Sequence, residues 1–260
     1  MKNILLALFV LIPICVIAQT DTLKSGVYSW INAAAQRSEG RERKDVVNGS
    51  TRDLDRLEIH TTTLNAGQTN HPPVAHNDVE ELVIVKEGSL KVTIGDSSKI
   101  LTPGGLALIV AGDKQTFQNI STKPATYYVI SYKSKDGVNL ERGRKGGGSF
   151  IKDWNEYEVK KTDKGESRPI FDRPSSVFKR FDVHATALNP GFASHAPHTH
   201  RAEEIILMIK GTGEMQISET FHKAVPGDVI LVNSKVPHAF TNTGKEQCGY
   251  FAIQWHSNDE

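Results

Sequence analysis

The residues with the most chemistry per unit length lie in one stretch, His195-Ala196-Pro197-His198-Thr199-His200-Arg201-Ala202-Glu203-Glu204, closed by Gly211 and answered downstream by Pro237-His238. Two histidines at i and i+2 share one face of a β-strand, because strand side chains alternate. A carboxylate a short step later and a fourth ligand from a distant strand complete a pocket of three imidazoles and one glutamate. Those residues are His198, His200, Glu204 and His238. Neutral imidazole suits Zn, Cu, Fe and Ni, and a carboxylate extends the range toward Mn. One divalent transition metal (Mn, Fe, Ni, Cu or Zn) is therefore the expected cofactor. The competing reading is a His-rich surface loop whose rings pair with nearby carboxylates. Strand signals on both sides of the stretch favour the metal.

The elements that must position these residues occur twice. Arg56-Leu57-Glu58-Ile59-His60-Thr61-Thr62-Thr63-Leu64-Asn65-Ala66-Gly67 is matched by Arg180-Phe181-Asp182-Val183-His184-Ala185-Thr186-Ala187-Leu188-Asn189-Pro190-Gly191. Glu80-Glu81-Leu82 through Gly88 parallels Glu203-Glu204-Ile205 through Gly211, and Pro103-Gly104-Gly105 parallels Pro226-Gly227-Asp228. Phe117-Gln118-Asn119 parallels Phe240-Thr241-Asn242. This is an internal duplication. Each half carries short β-branched and aromatic runs punctuated by Gly, Pro, Asn and Asp: Leu90 to Ile94, Leu106 to Val110, Thr126 to Tyr132, Met215 to Ile217 and Val229 to Val232. That spacing predicts an all-β sandwich or barrel in each half. The halves span 45–132 and 176–257, and 133–175 reads as a charged, Gly-rich connector with one ordered patch near Ile151 to Tyr157. The Arg/Lys cluster at 142–145 within it reads as a solvated loop.

Other marked residues follow from alternation. His60 and His184 have apolar neighbours (Ile59, Val183, Ala185). If those neighbours face an outer packing layer, both histidines face a barrel interior and can touch substrate; a structural role is the alternative. His195 and its counterpart His71 are read as standing behind the ligands or at the mouth. Glu80 and Glu203 alternate away from Glu81 and Glu204 and are expected to be solvated, as is Arg201 unless it meets an anionic substrate. Cys248 lies in an apolar run and is expected to be a buried small hydrophobe.

Lys2 followed by an apolar run from Ile4 to Ile17 and then Ala18-Gln19 reads as a signal peptide over residues 1–18, so a periplasmic or secreted location is expected. The run is shorter than the roughly 20 residues of a membrane span, and no membrane association is expected after cleavage. The mature chain would keep one cysteine, Cys248, and no internal disulfide. A formal net charge of +1 without a basic stripe excludes nucleic acid as a partner.

Together these residues resemble the cupin superfamily, whose motifs run G…HxH(x)3–4E(x)6G and PxG…H(x)3N. The second half supplies Gly191, His198, His200, Glu204, Gly211, Pro226, Asp228, His238 and Asn242. The first half supplies Gly67, His76, Glu81, Gly88, Pro103, Gly105 and Asn119, but has Val74 in place of His198 and Gln115 in place of His238. The resemblance implies a bicupin of two tandem double-stranded β-helix (jelly-roll) barrels. The N-terminal barrel is expected to be metal-free; a weak second site from His76, Glu81 and Gln115 is the alternative. Four protein ligands leave positions open for substrate, the mark of a catalytic rather than a structural metal. The leading expectation is a metal-dependent enzyme acting on a small oxygen-rich molecule, with a dioxygenase ahead. The alternatives are a non-redox isomerase, lyase or aminohydrolase on a sugar, uronate or ureido compound, and a ligand-binding bicupin without catalysis. The residues assign no separate general base, and a homodimer is left open.

Overall fold

Alternation in the strand that carries His60 sets the architecture. In the computed structural model, which describes residues 22–257, strand Leu54–Leu64 turns Leu57 and Ile59 to one face and Glu58, His60 and Thr62 to the other. Strand Arg180–Leu188 does the same with Val183 and Ala185 against Asp182, His184 and Thr186. The expected signal peptide, 1–18, lies outside the described residues.

Each half is an antiparallel jelly roll of one large and one small sheet. In the first, the seven-stranded sheet runs, in spatial order, Phe150–Lys152, Leu106–Ile109, Glu80–Glu87, Ala125–Ser134, Leu54–Leu64, Arg41–Gly49 and Ala35–Ser38. Its four-stranded partner contains Val74–Ala75, Lys114–Asn119, Leu90–Ile94 and Ser97–Leu101. In the second, the seven-stranded sheet runs Gly26–Tyr28, Val229–Val232, Glu203–Lys210, Cys248–His256, Arg180–Leu188, Gly165–Arg173 and Lys160–Thr162. Its three-stranded partner contains Thr220–Ala224, Gly213–Ile217 and His238–Thr241. The fold class read from the sequence, all-β and two tandem jelly rolls, is what the molecule adopts.

The outer faces of the two large sheets pack on each other. One apolar cluster joins Leu57, Ile59, Leu82 and Ile84 of the first half to Val183, Ile205, Leu231 and Ile253 of the second, with stacked Tyr132, Phe178 and Trp255 between them. The inner faces build two separate, smaller clusters, one per barrel.

The halves also exchange edge strands. Gly26–Tyr28 precedes the first barrel yet pairs with Val229–Val232 of the second, and Phe150–Lys152 precedes the second barrel yet pairs with Leu106–Ile109 of the first. A tryptophan follows each exchanged strand. Trp30 covers Gly227 and Trp154 covers Gly104, both glycines at positive φ where a Cβ would strike the indole. Each exchange covers an otherwise open sheet edge. Strand structure thus extends well beyond the patch near Ile151 that the sequence marks, because Gly165–Arg173 pairs with Arg180–Leu188. The expected solvated loop around Arg142 is a short helix, Leu140–Lys145, capped by Asn139, and Arg142 donates to the carbonyl of Ser175.

Glu80 and Glu203 correct their expected exposure: both are fully buried. They do alternate away from Glu81 and Glu204, but that face is the one the other barrel covers. Glu203 accepts from Thr51 Oγ1 (2.6 Å), the amides of Arg52 (3.1 Å) and Asp53 (3.2 Å), and Trp255 Nε1 (3.3 Å). Glu80 accepts from the amide of Ser176 at 2.6 Å and from its hydroxyl. Each glutamate therefore binds the chain leading into the opposite barrel. Removing a buried acceptor of several donors leaves them unsatisfied. Glu203→Ala is expected to lower stability by about 3 kcal/mol, against under about 0.5 kcal/mol for Glu219→Ala on an exposed turn, read by urea denaturation.

Candidate metal centre

The strand Glu203–Lys210 places Glu204 on the inner face of the second barrel, where it is buried. The chain just before it brings the histidines to the same mouth. His198 and His238 form an isolated antiparallel bridge, each amide donating to the other's carbonyl at 3.2 and 3.0 Å. The equivalent pair in the first half, Val74 and Gln115, occupies the same register without imidazoles.

Two imidazoles have a defined tautomer. His200 Nδ1 lies 2.8 Å from the carbonyl of Ala202, and His238 Nδ1 lies 2.9 Å from that of Val236. A carbonyl only accepts, so each Nδ1 carries the proton and each Nε2 presents a lone pair. This backbone carbonyl partner is the usual arrangement behind a metal-ligating histidine. His238 Nε2 is 3.2 Å and His200 Nε2 3.5 Å from the same oxygen, Glu204 Oε2. His238 Nε2 is buried and makes no hydrogen bond. A lone pair facing a carboxylate oxygen is unfavourable unless a cation or proton lies between them. The donor set fits a divalent transition metal, with His200, Glu204 and His238 as the inner group.

His198 is not part of that inner triad. It stands with His195 and His238 in a second group at the rim, the His195 and His198 ring centroids 4.0 Å apart. The sequence left His195 either behind the ligands or at the mouth; the two-residue spacer Ala196-Pro197 brings its ring against His198. Burial pushes the Glu204 carboxyl up, but the facing His200 and His238 rings outweigh this and hold it at about 2, so the carboxylate is ionised. Burial, and then the crowding of His195, His238 and His200, lowers the pKa of His198. Burial likewise lowers that of His195.

The cluster opens onto a cavity of about 380 Å³ lined by His184, Lys164, Glu166, Met215, Tyr250 and Gln254, among others. His184 reaches it from the inner face of its strand, with Nδ1 3.4 Å from Asp182 Oδ1. Arg201 corrects its expected role: it forks onto Asp53 of the first half at 2.9 and 3.0 Å. The ligand loop is thereby tied to the neighbouring barrel rather than held ready for a substrate. Cys248 is a buried free thiol.

The first barrel arranges its counterparts differently. Gln115 Nε2 donates to Glu81, while His76 is exposed and joins no group of three ligand-type side chains among the described residues. His60 is buried on the inner face, with Nδ1 3.2 Å from Glu58 Oε1.

Purified protein is expected to hold close to one equivalent of a divalent transition metal. Plasma emission spectroscopy should find it lost in His200→Ala and His238→Ala and kept in His76→Ala. Ligation needs neutral imidazoles. Glu204 stays ionised to far lower pH, so acidification should release the metal by protonating the imidazoles before the carboxylate, followed by dialysis and metal analysis.

A search of curated proteins by sequence finds no match. By fold, the chain is similar to protein Ylba from E. coli (14% identity, 94% of this chain and 96% of that one, TM-score 0.71). It is also similar to AerE from Microcystis aeruginosa (14%, 86% and 97%, TM-score 0.65). Oxalate decarboxylase OxdC from Bacillus subtilis shares the fold as well (15%, 92% and 79%, TM-score 0.69). The cupin domain model matches twice, over residues 60–131 and 185–254, one match in each barrel. This chain belongs to the cupin family, as a bicupin with its cluster of facing imidazoles and carboxylate in the second barrel.

Proposed function

We propose that the protein is a metal-dependent enzyme that transforms a small oxygen-rich molecule in the C-terminal barrel. The observation that carries this reading is the meeting of His200 Nε2 and His238 Nε2 at one buried oxygen of Glu204, at the end of a cavity large enough for a small substrate. A metal held by His200, Glu204 and His238 would supply Lewis-acid or oxygen-activating chemistry to an oxygen-bearing substrate. The oxalate decarboxylases that share the fold carry the name of a small dicarboxylate, which is in the size class this cavity admits.

This chain's own residues do the rest. Backbone carbonyls of Ala202 and Val236 hold the two imidazoles in the ligating tautomer. Met215, Phe240 and Ile206 contribute the apolar part of the cavity lining. His195 at the mouth can accept a proton, and Lys164 and Glu166 line the same cavity. These titratable groups beside the cluster favour non-redox chemistry, isomerisation or elimination next to a carbonyl, over the oxygen-dependent reaction. The N-terminal sequence is read as directing export, so the substrate would be met in the periplasm or outside the cell.

Turnover of small hydroxy- and keto-acids, screened by NMR with the metal-loaded chain, is expected to proceed equally in air and under argon. His195→Gln should lower kcat by about 100-fold while leaving metal content unchanged. A strict requirement for dioxygen, with oxygen consumed at an electrode, would instead establish the dioxygenase. No turnover in either atmosphere with metal bound would leave a binding protein.

A further inference from the structure

The barrel that lacks the imidazole cluster has the larger cavity, about 870 Å³ against about 380 Å³. Strand register explains what fills the chemical role there. Arg41 lies opposite Leu64 and Arg43 opposite Thr62. In the second barrel, Gly165 lies opposite Leu188 and Ser167 opposite Thr186. Leu64 and Leu188, like Thr62 and Thr186, are equivalent in the duplication. The first half has therefore exchanged two imidazoles for Val74 and Gln115, and carries two guanidinium groups where the other half has a glycine and a serine.

The two arginines differ in their partners. Arg43 Nη2 sits 2.6 Å from both Asp45 Oδ1 and Glu58 Oε1. Asp45, Glu58 and His60 converge closely enough to resemble a metal site, but Arg43 already supplies the positive charge between the two carboxylates. Arg41 lines the cavity half-buried and has no carboxylate partner among the described residues. The acids that share the cavity are engaged elsewhere: Glu58 with Arg43 and Arg56, Asp78 with Lys133 at 2.9 Å, and Glu81 with Gln115. The exception is Asp55, out toward Lys133. Around Arg41 the wall offers hydroxyl, amide and imidazole groups from Thr62, Asn70, His71 and Tyr127, with the apolar face of Phe117. A partly buried guanidinium without a counter-ion is stabilised by a forked carboxylate. Neighbouring hydroxyls and amides match a hydroxylated carbon skeleton.

We propose that the N-terminal barrel is a second, metal-free binding site for a small hydroxylated carboxylate of the acidic-sugar class, with Arg41 receiving the carboxylate. The guanidinium would supply in this barrel the positive charge that a bound metal would supply in the other. His60, whose pKa is lowered to about 4 by burial and by the charge of Arg43, is neutral at pH 7 and offers a ring nitrogen to a hydroxyl instead of a second charge.

Isothermal titration of the full-length chain with D-glucuronate and D-gluconate tests this, with D-glucose as the neutral counterpart. Binding of at least one acid is expected to survive His238→Ala, which disables the other barrel. It should weaken about tenfold or more in Arg41→Gln, the loss of one charged hydrogen-bonded contact. Glucose should bind at least as weakly as the acids bind that variant. A second variant guards against misfolding of the first: Asn70→Asp keeps the acceptor for the Phe117 amide (2.8 Å in the parent) and adds a repelling charge to the cavity. It too should weaken binding about tenfold or more while retaining the parent's circular dichroism. No binding of either acid overturns the proposal. So does equal binding of glucose, or binding lost in His238→Ala and intact in Arg41→Gln, which would place the ligand in the metal barrel.

Discussion

Everything in this molecule depends on the packing of two large sheets back to back. A jelly roll that keeps a wet, charged cavity inside can draw only part of its stability from that interior. Here the inner faces divide between small apolar clusters and a cavity lined by histidine, arginine, glutamate and threonine, so the larger apolar area is found on the outside. The outer faces supply it by covering one another, with Leu57, Ile59, Val183 and Ile253 among the fully buried residues of the shared layer. Burial of apolar surface is the dominant favourable contribution to folding. Duplication thus solves a physical problem: each barrel becomes the other's core.

That arrangement gives each adjacent pair of glutamates two different lives. In Glu80-Glu81 and in Glu203-Glu204, the second residue faces the cavity and the first faces the partner barrel. Glu204 meets imidazoles, whereas Glu203 meets backbone amides and a hydroxyl from the opposite half. Strand periodicity of two separates them by a single residue. Arg201 extends the same link, holding Asp53 from the loop between two ligands. The mouth of the second barrel is consequently braced by the first.

Much of this was legible in the residues. The duplication placed His60 and His184 on inner faces, and the strands Leu90–Ile94 and Val229–Val232 run where β-branched residues and turn signals put them. Of the site, His198, His200, Glu204 and His238 were legible by type and spacing. The division into an inner triad and a rim pair was not, because it depends on the turn at Ala196-Pro197. The burial of Glu80 and Glu203 was hidden for a different reason. Alternation says which face a residue is on, and only the packing of one half on the other says whether that face meets water. The exchanged strands were hidden as well, since Gly26–Tyr28 finds its partner some two hundred positions away. Arg41 and Arg43 carry no motif, and their meaning emerges only from the register that sets them against Gly165 and Ser167.

The edge-strand exchange has a consequence for the order of folding. During synthesis, Gly26–Tyr28 leaves the ribosome before every other described strand, some two hundred residues ahead of its pairing strand Val229–Val232. Contacts this distant in sequence close slowly, because loop entropy is lost before the pairing rewards it. The first barrel meanwhile waits for Phe150–Lys152 to seal its own edge. The earliest segment of the described chain is therefore among the last to dock, and it acts as a latch that shuts only once both barrels are complete.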